Sequence, residues 1–419
     1  MELEIEKLTF GGWGIGRTGG KVVFVKGGLP GEVLNIEITN EKRKYAEAEI
    51  RNIIKPSPER IQPPCPVFDR CGGCQWQHLK YSSQLRSKED ILRETLERIG
   101  GLKEIEVEPI VPSPKQYGYR IRVTLSVWLE KRKYRVGYFE EKSLRQVAIE
   151  HCPIASEPVN RAISRLSKSL SSIKDPYYDL EAVYISSDGS TAHVSLVPGR
   201  MKENQGKLDS FCNRLGKLMT TESISIVGDN ENEFEFNLLG LRFYLTPSLF
   251  VQAHKEINER LIKDVIEWAE LGGGERVLDL YSGIGNFSLH LAKSSREVIG
   301  VEVNEKAVRL AKKSAEANLI GNAFFKALPC ELFVEEALVK DERFDLVVLD
   351  PPREGAKAII PNLVQLSPEK IIYVSCDPPT LSRDLKMLRE LNYRTIKIRP
   401  FDMFPQTYHI ESVALLVKR

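Results

Sequence analysis

From Gly272 onward, strand-like and helix-like stretches alternate: Arg276 to Leu280, Asn286 to Lys293, Val298 to Val303, Glu305 to Asn318, Leu346 to Asp350 and Lys370 to Ser375. Short apolar, β-branched runs separated by helix-length segments call for parallel strands, because a parallel return needs a crossover long enough to hold a helix. The expected fold of this part is α/β, a doubly wound sheet with helices on both faces. Tyr393 to Arg399 and Ser412 to Lys418 have no helix-length segment between them, so they are expected to close the sheet as an antiparallel pair.

In such a sheet the ligand crevice lies at the carboxyl ends of the strands, and several chemistry-bearing residues fall there. The run Lys370-Ile-Ile-Tyr-Val-Ser delivers Cys376 to a strand-to-helix turn, since Leu381, Leu385 and Leu388 follow at helical spacing. The positive end of that helix is expected to lower the thiol pKa. Asp279-Leu-Tyr-Ser-Gly-Ile-Gly-Asn-Phe-Ser288 follows the first strand; its glycines let a ligand approach the backbone, but Ser288 replaces the third glycine of the dinucleotide fingerprint, which argues against NAD. Glu302 ends the second strand, where a carboxylate can accept both hydroxyls of a ribose. Together these features resemble the S-adenosylmethionine fold of class I methyltransferases. Asp350-Pro-Pro-Arg353 ends the fourth strand in a rigid extended turn with its acid at the mouth of the crevice.

The 419 residues exceed one ordinary core, and the composition shifts mark three parts. Residues 1–56 read as short strands between glycine turns, a small β-barrel. The order Gly12-Trp-Gly-Ile-Gly-Arg17, Val22-Val-Phe-Val25 and Leu29-Pro-Gly-Glu32 resembles the OB-like TRAM domain, which implies RNA binding. Residues 57–245 are expected to form an α+β part with a mostly antiparallel sheet, entered through the proline-rich Lys55 to Pro64. Its helix from Leu79 to Ile99 reads as a surface helix that packs on the catalytic part. Residues 246–419 are the α/β part.

Seven cysteines is an odd number, and Cys65, Cys71 and Cys74 form a C-x5-C-x2-C array. A large chain with an acidic start and no secretion signal is expected in the cytoplasm, where disulfides have little use. The array therefore reads as a metal site, with Cys152 of His151-Cys-Pro as the best fourth ligand by residue type and Cys212 and Cys330 as poorer ones. Four thiolates suit a structural zinc or an iron-sulfur cluster, and spacing does not choose between them. Between Ser113 and Arg145, nine Lys or Arg stand against three Glu, with Tyr117, Tyr119, Trp128, Tyr134, Tyr138 and Phe139 interleaved, a pattern that attracts phosphates and stacks bases. No apolar run approaches the roughly 18 to 20 residues of a membrane span. The expected form is a monomer.

Asp350-Pro-Pro-Arg353, Ser375-Cys-Asp-Pro378, Phe401-Asp-Met-Phe-Pro-Gln-Thr-Tyr-His-Ile-Glu411, Phe250-Val-Gln252, the cysteine array and the TRAM-like start together resemble the RNA uracil-5-methyltransferase family. The resemblance covers nearly the whole chain. It implies Cys376 as nucleophile and Glu411 as general base, with S-adenosylmethionine lined by Gln252, Tyr281, Asn286, Glu302 and Asp350. It also implies a [4Fe-4S] cluster on Cys65, Cys71, Cys74 and Cys152, and an RNA substrate: ribosomal RNA is favoured, and the T-loop of tRNA is the alternative. Phe324-Phe-Lys-Ala-Leu-Pro329 departs from the family, which often places an acid there for the adenine. Two readings from other classes stand beside this one: an amino-group methyltransferase that uses Asp350-Pro-Pro, which leaves Cys376 idle, and a non-catalytic RNA-binding protein.

Overall fold

In the computed structural model the described residues are 1–173, 180–199, 211–212, 214–217, 219, 223–227 and 231–419. The first six strands, from Glu2–Glu4 to Tyr45–Lys55, form one sheet. Leu34 and Ile36 alternate with Ala46 and Ala48 on its buried face, joined by Leu3, Val23 and Val25. A side chain at Gly16 would stand 2.2 Å from the Glu4 carbonyl, so the glycine lets the first strand lie against the third. The sheet curls in this way, although no ladder joins its two end strands among the described residues. Buried Glu32 receives the Arg60 guanidinium at 2.6 and 2.8 Å and ties the proline-rich arm back onto this sheet.

A second six-stranded sheet runs, in spatial order, Gln146–Ala148, Lys133–Phe139, Arg122–Glu130, Leu180–Ser187, Ala192–Pro198 and Ser223–Ile226. It is antiparallel except at its last pair. Val159, Ile163 and Leu166 of the Glu157–Ser171 helix cover it. The hairpin Phe234–Leu238 and Leu241–Leu245 packs instead with Ile257 and Leu261 of the Lys255–Ala269 helix, in the core of the third sheet.

That third sheet has eight strands in the order Ala323–Ala327, Glu297–Glu302, Arg276–Leu280, Leu346–Leu349, Lys370–Ser375, Glu411–Lys418, Tyr393–Phe401 and Glu106–Val107. The first five are parallel, and Glu411–Lys418 is antiparallel to both of its neighbours. Period two shows in the burial. Leu278, Leu280, Val347, Leu349 and Tyr373 face one apolar cluster, while Val277, Leu346, Val348, Ile372 and Val374 face the other. The chain passes from Arg276–Leu280 outward in one direction and then outward in the other from Leu346–Leu349. The crevice lies at this switch point.

One expectation is corrected. The helix expected from Asn286 to Lys293 is a single turn, Ser288–Leu291, continued by the tighter turn Ala292–Ser294. The Tyr81–Gly100 helix keeps one exposed face and packs on residues 246–419 with the other: Leu92 and Leu96 pack with Leu381, Leu385 and Leu388 of the Pro378–Glu390 helix. Truncating Leu92, which is fully buried, to alanine is expected to cost about 2–5 kcal/mol. Its buried stripe also contains Gln84 and Lys88. No helix among the described residues is long and apolar enough to cross a membrane.

Candidate active site

Cys376 stands between the Lys370–Ser375 strand and the Pro378–Glu390 helix. The turn is pinned from both sides. Asp377 caps the helix by accepting from the Thr380 N–H at 2.9 Å, and Ser375 Oγ accepts from the Asp377 N–H at 3.2 Å. Ser375 pairs with Ser412 in antiparallel register, and one residue beyond that pair on the two strands are Cys376 and Glu411. The register of two sheet strands thus brings together residues 35 positions apart in the sequence. Asp350 lies one strand over, after Leu349, which pairs with Tyr373.

The electrostatics of this trio differ from the sequence expectation. Burial pushes the Cys376 thiol up to about 12, Glu411 and Asp350 add to the rise, and Arg353 opposes it. The helix amino end is in place, but two facing carboxylates and burial outweigh it. Glu411 is 2% exposed and held well above the ordinary carboxylate range by burial and then by Asp350. Asp350 is raised to about 7, by burial and then by Asp279. Three acids in one low-dielectric pocket cannot all ionise together.

Across the crevice, Tyr281 takes φ +64° and Gly283 φ +55°, which turns the loop after Arg276–Leu280 back toward Glu302. Glu302 accepts from the Gly283 N–H at 3.1 Å and from the Asn304 N–H at 2.8 Å. Asn286 exchanges amide hydrogen bonds of 2.8 and 3.2 Å with Asn258, fixing the loop to the Lys255–Ala269 helix; Gln252, three residues before that helix, is buried. Asp279 Oδ1 and Ser282 Oγ are buried without a hydrogen-bond partner, so this loop has polar atoms to offer a ligand. These residues fit a nucleoside-bearing cofactor: a strand-end carboxylate for the ribose, turned glycines and unpaired buried oxygens.

Cys65, Cys71, Cys74 and Cys152 line one cavity of about 40 Å³, together with Arg120 and Tyr138. Gly72 donates to the Phe139 carbonyl at 3.0 Å and docks the array on the second sheet. Asn160 Oδ1 accepts from the Cys152 N–H at 2.8 Å, and Asn160 Nδ2 donates back to the Cys152 carbonyl at 3.0 Å. Burial pushes Cys74 up to about 12, while Arg120 pulls both Cys74 and Cys152 down. Arg120 Nε is itself buried without a partner. Among the described residues, no three His, Cys, Asp or Glu are close enough to hold a single metal ion. Four sulfurs around one cavity beside the Arg120 guanidinium nevertheless fit an anionic, thiolate-bound group.

The basic segment is corrected in part. Tyr119 and Tyr134 are 1% exposed and belong to the interior, so neither is a stacking face for bases. Phe139 and Phe250 are exposed, and Lys142 lies 4.5 Å from the Trp13 ring centroid. Sequence reasoning also passed over Asp279, Arg353 and His409. Asp279 opens the glycine loop and is raised to about 7 by burial. His409 stands two residues before Glu411 and is lowered to about 3 by burial and by Arg353, Lys88 and Arg120. Their place inside the quoted motifs was the available signal.

A family model described as tRNA (Uracil-5-)-methyltransferase matches residues 80–419, and the TRAM domain model matches residues 1–50. A 23S rRNA (uracil(1939)-C(5))-methyltransferase of Aeromonas hydrophila is 33% identical, covering 100% of this chain and 96% of its own. An RNA methyltransferase of Clostridium tetani is 32% identical over 97% of this chain and 93% of its own. The crystal structure of the Pyrococcus abyssi tRNA (uracil-54, C5)-methyltransferase with S-adenosyl-L-homocysteine superposes over 100% of both chains, with a TM-score of 0.71 and 28% identity.

Proposed function

Since the chain belongs to the tRNA (uracil-5-)-methyltransferase family, we propose that it methylates carbon 5 of a uridine in RNA through Cys376 and Glu411. The observation that carries this reading is the pairing of the two residues across adjacent strand ends, with Asp350 beside them.

Carbon 5 of uracil is too weak a nucleophile to take a methyl group unaided. Once the Cys376 thiol has lost its proton to solvent, addition of the thiolate to carbon 6 forms an S–C bond and pushes the ring electrons into an enolate, so that carbon 5 becomes nucleophilic. S-adenosylmethionine supplies an electrophilic methyl group when bound. Glu302 would take the ribose hydroxyls, and Gln252, Tyr281, Asn286 and Asp350 would line the remainder. After transfer, Glu411 in its ionised form accepts the proton of carbon 5, the C–H pair becomes the restored ring double bond, and the S–C pair returns to sulfur. A carboxylate whose pKa burial has raised is a stronger base for this step. A base inside a helix stack cannot present carbon 6 to the thiol, so the uridine is unpaired or flipped out.

Cys65, Cys71, Cys74 and Cys152 would hold a [4Fe-4S] cluster with a structural role. The four-sulfur cavity and Arg120 support it, and the methylation chemistry needs no redox step. A ribosomal RNA target is supported by the full-length relatives named for 23S rRNA together with the TRAM match. The tRNA reading rests on the superposition with the archaeal enzyme. Incubating the protein with labelled S-adenosylmethionine and transcripts of each RNA class, followed by nucleoside analysis, tests all of this. 5-Methyluridine in ribosomal fragments is expected. Methylcytidine or methyladenosine would indicate the amino-group chemistry of Asp350-Pro-Pro, and a product on tRNA alone would reverse the choice of target.

A further inference from the structure

Nine residues separate the strand Tyr393–Phe401 from Glu411–Lys418, and the proposed base is the first residue after them. Most of the polar groups that hold this loop come from residues 75 to 119. Lys88 Nζ donates to Asp402 Oδ1 at 2.5 Å and to the Phe404 carbonyl at 3.1 Å, and both side chains of the ion pair are 0% exposed. Gln84 Nε2 donates to Gln406 Oε1 at 2.9 Å, and the Gln406 N–H donates to Gln84 Oε1 at 3.0 Å. The N–H groups of Gln75 and Trp76, immediately after Cys74, both donate to the Gln406 carbonyl at 3.0 Å. The Tyr119 hydroxyl donates to the Pro405 carbonyl at 3.1 Å. Gln406 takes φ +71°, a conformation a non-glycine residue keeps only when its surroundings impose it.

A buried ion pair of this kind is a poor source of stability, since desolvating two charges offsets most of their attraction and an apolar pair of equal volume often serves as well. What directed groups supply is a single geometry. A misplacement of about 1 Å at a reacting group costs on the order of 100-fold in rate. We propose that Lys88 and Gln84 are positioning residues: with Asp402 and Gln406 they latch residues 402–410 to the Tyr81–Gly100 helix and so aim Glu411 at carbon 5 of the adduct on Cys376. The proposal rests on the reading of Glu411 as base. It makes the step after methyl transfer, rather than cofactor binding or adduct formation, the one that depends on a helix outside the cofactor crevice.

The test is Lys88→Met combined with Asp402→Leu, which removes both charges together, with Gln84→Met as a second variant that keeps the ion pair. Thermal melting, S-adenosylhomocysteine affinity by calorimetry and single-turnover gels of labelled RNA are measured on the full chain. Both variants are expected to melt within a few degrees of the parent, to bind the nucleoside as tightly and to form the covalent RNA species. Release of methylated RNA should slow at least tenfold, so that the covalent species accumulates as it does with Glu411→Gln. Release at the parent rate overturns the latch. So does a loss spread over all steps in proportion to the unfolded fraction, because that marks packing alone. If the double variant fails to fold, Gln84→Met decides by the same criteria. Failure of Glu411→Gln to accumulate the species removes the base assignment and the latch with it. Accumulation there but in neither latch variant sinks the latch only.

Discussion

The molecule contains two thiol sites that share burial and differ in what faces them. Cys74 of the array and Cys376 of the crevice are both pushed up to about 12 with burial as the first cause. Beside the array the ionised neighbour is Arg120, which favours thiolates. Beside Cys376 are Glu411 and Asp350, which favour the thiol. At the array the charged neighbour works against the burial, in the direction that metal ligation would require. The Cys376 thiol, the proposed nucleophile, is held in its protonated form by its surroundings. One residue type thus meets a guanidinium at one site and carboxyl groups at the other.

The largest test of this contrast is Cys376→Ala. Turnover should fall by about 10⁴-fold or more, with S-adenosylhomocysteine affinity unchanged and no covalent RNA species on a denaturing gel; an adduct from this variant would move the nucleophile elsewhere. Next comes Glu411→Gln, for which release of product should slow by roughly 10²–10⁴-fold, the usual contribution of a general base. Full turnover would remove it from that role. RNA containing 5-fluorouridine should trap the unaltered protein at the same stage, because fluorine does not leave as a proton does.

A smaller effect is expected at the other site. Cys74→Ser should bleach the broad visible absorption of anaerobically purified protein and lower its melting temperature, while Cys376 still alkylates at its usual rate. A colourless parent protein with stoichiometric zinc would replace the cluster assignment. The smallest effect sharpens the charge argument itself. Asp350→Asn removes one carboxylate facing Cys376, so alkylation of that thiol should quicken severalfold. The same variant should flatten the dependence of stability on pH. The folded Asp350 keeps its proton up to about 7, whereas an unfolded aspartate loses it near 3.8. The contribution is thus fully present below 3.8, and stability falls as pH rises from there to about 7. The urea midpoint of the parent relative to that of the variant should fall as pH rises across that range.

The parallel order of the third sheet was legible because helix-length segments between apolar runs leave few other topologies, and Cys376 was legible as the residue at which such a run stops. The proximity of Glu411 was not. It depends on the antiparallel register of the last strand, which the intervening loop fixes and no local pattern announces. The buried Tyr134 was open to a better reading: Tyr134 and Val136 alternate with Arg135, and period two places them on the apolar face. Lys88 was hidden for the opposite reason. A lysine among helix charges reads as solvated, and only a partner 314 residues away makes its burial tolerable.

The short strand Glu106–Val107 adds to the sheet beside Tyr393–Phe401, and the helix before it is sealed by Leu381, Leu385 and Leu388. Both pieces leave the ribosome long before their partners exist. At about 5–20 residues per second, roughly 15 to 60 seconds separate the appearance of that helix from the strands that cover it. Through that interval its leucine stripe, its buried lysine and an unpaired strand edge face the cell without cover. The third sheet cannot close until the Glu411–Lys418 strand is made, so a stop within that strand should yield aggregate in place of a folded protein.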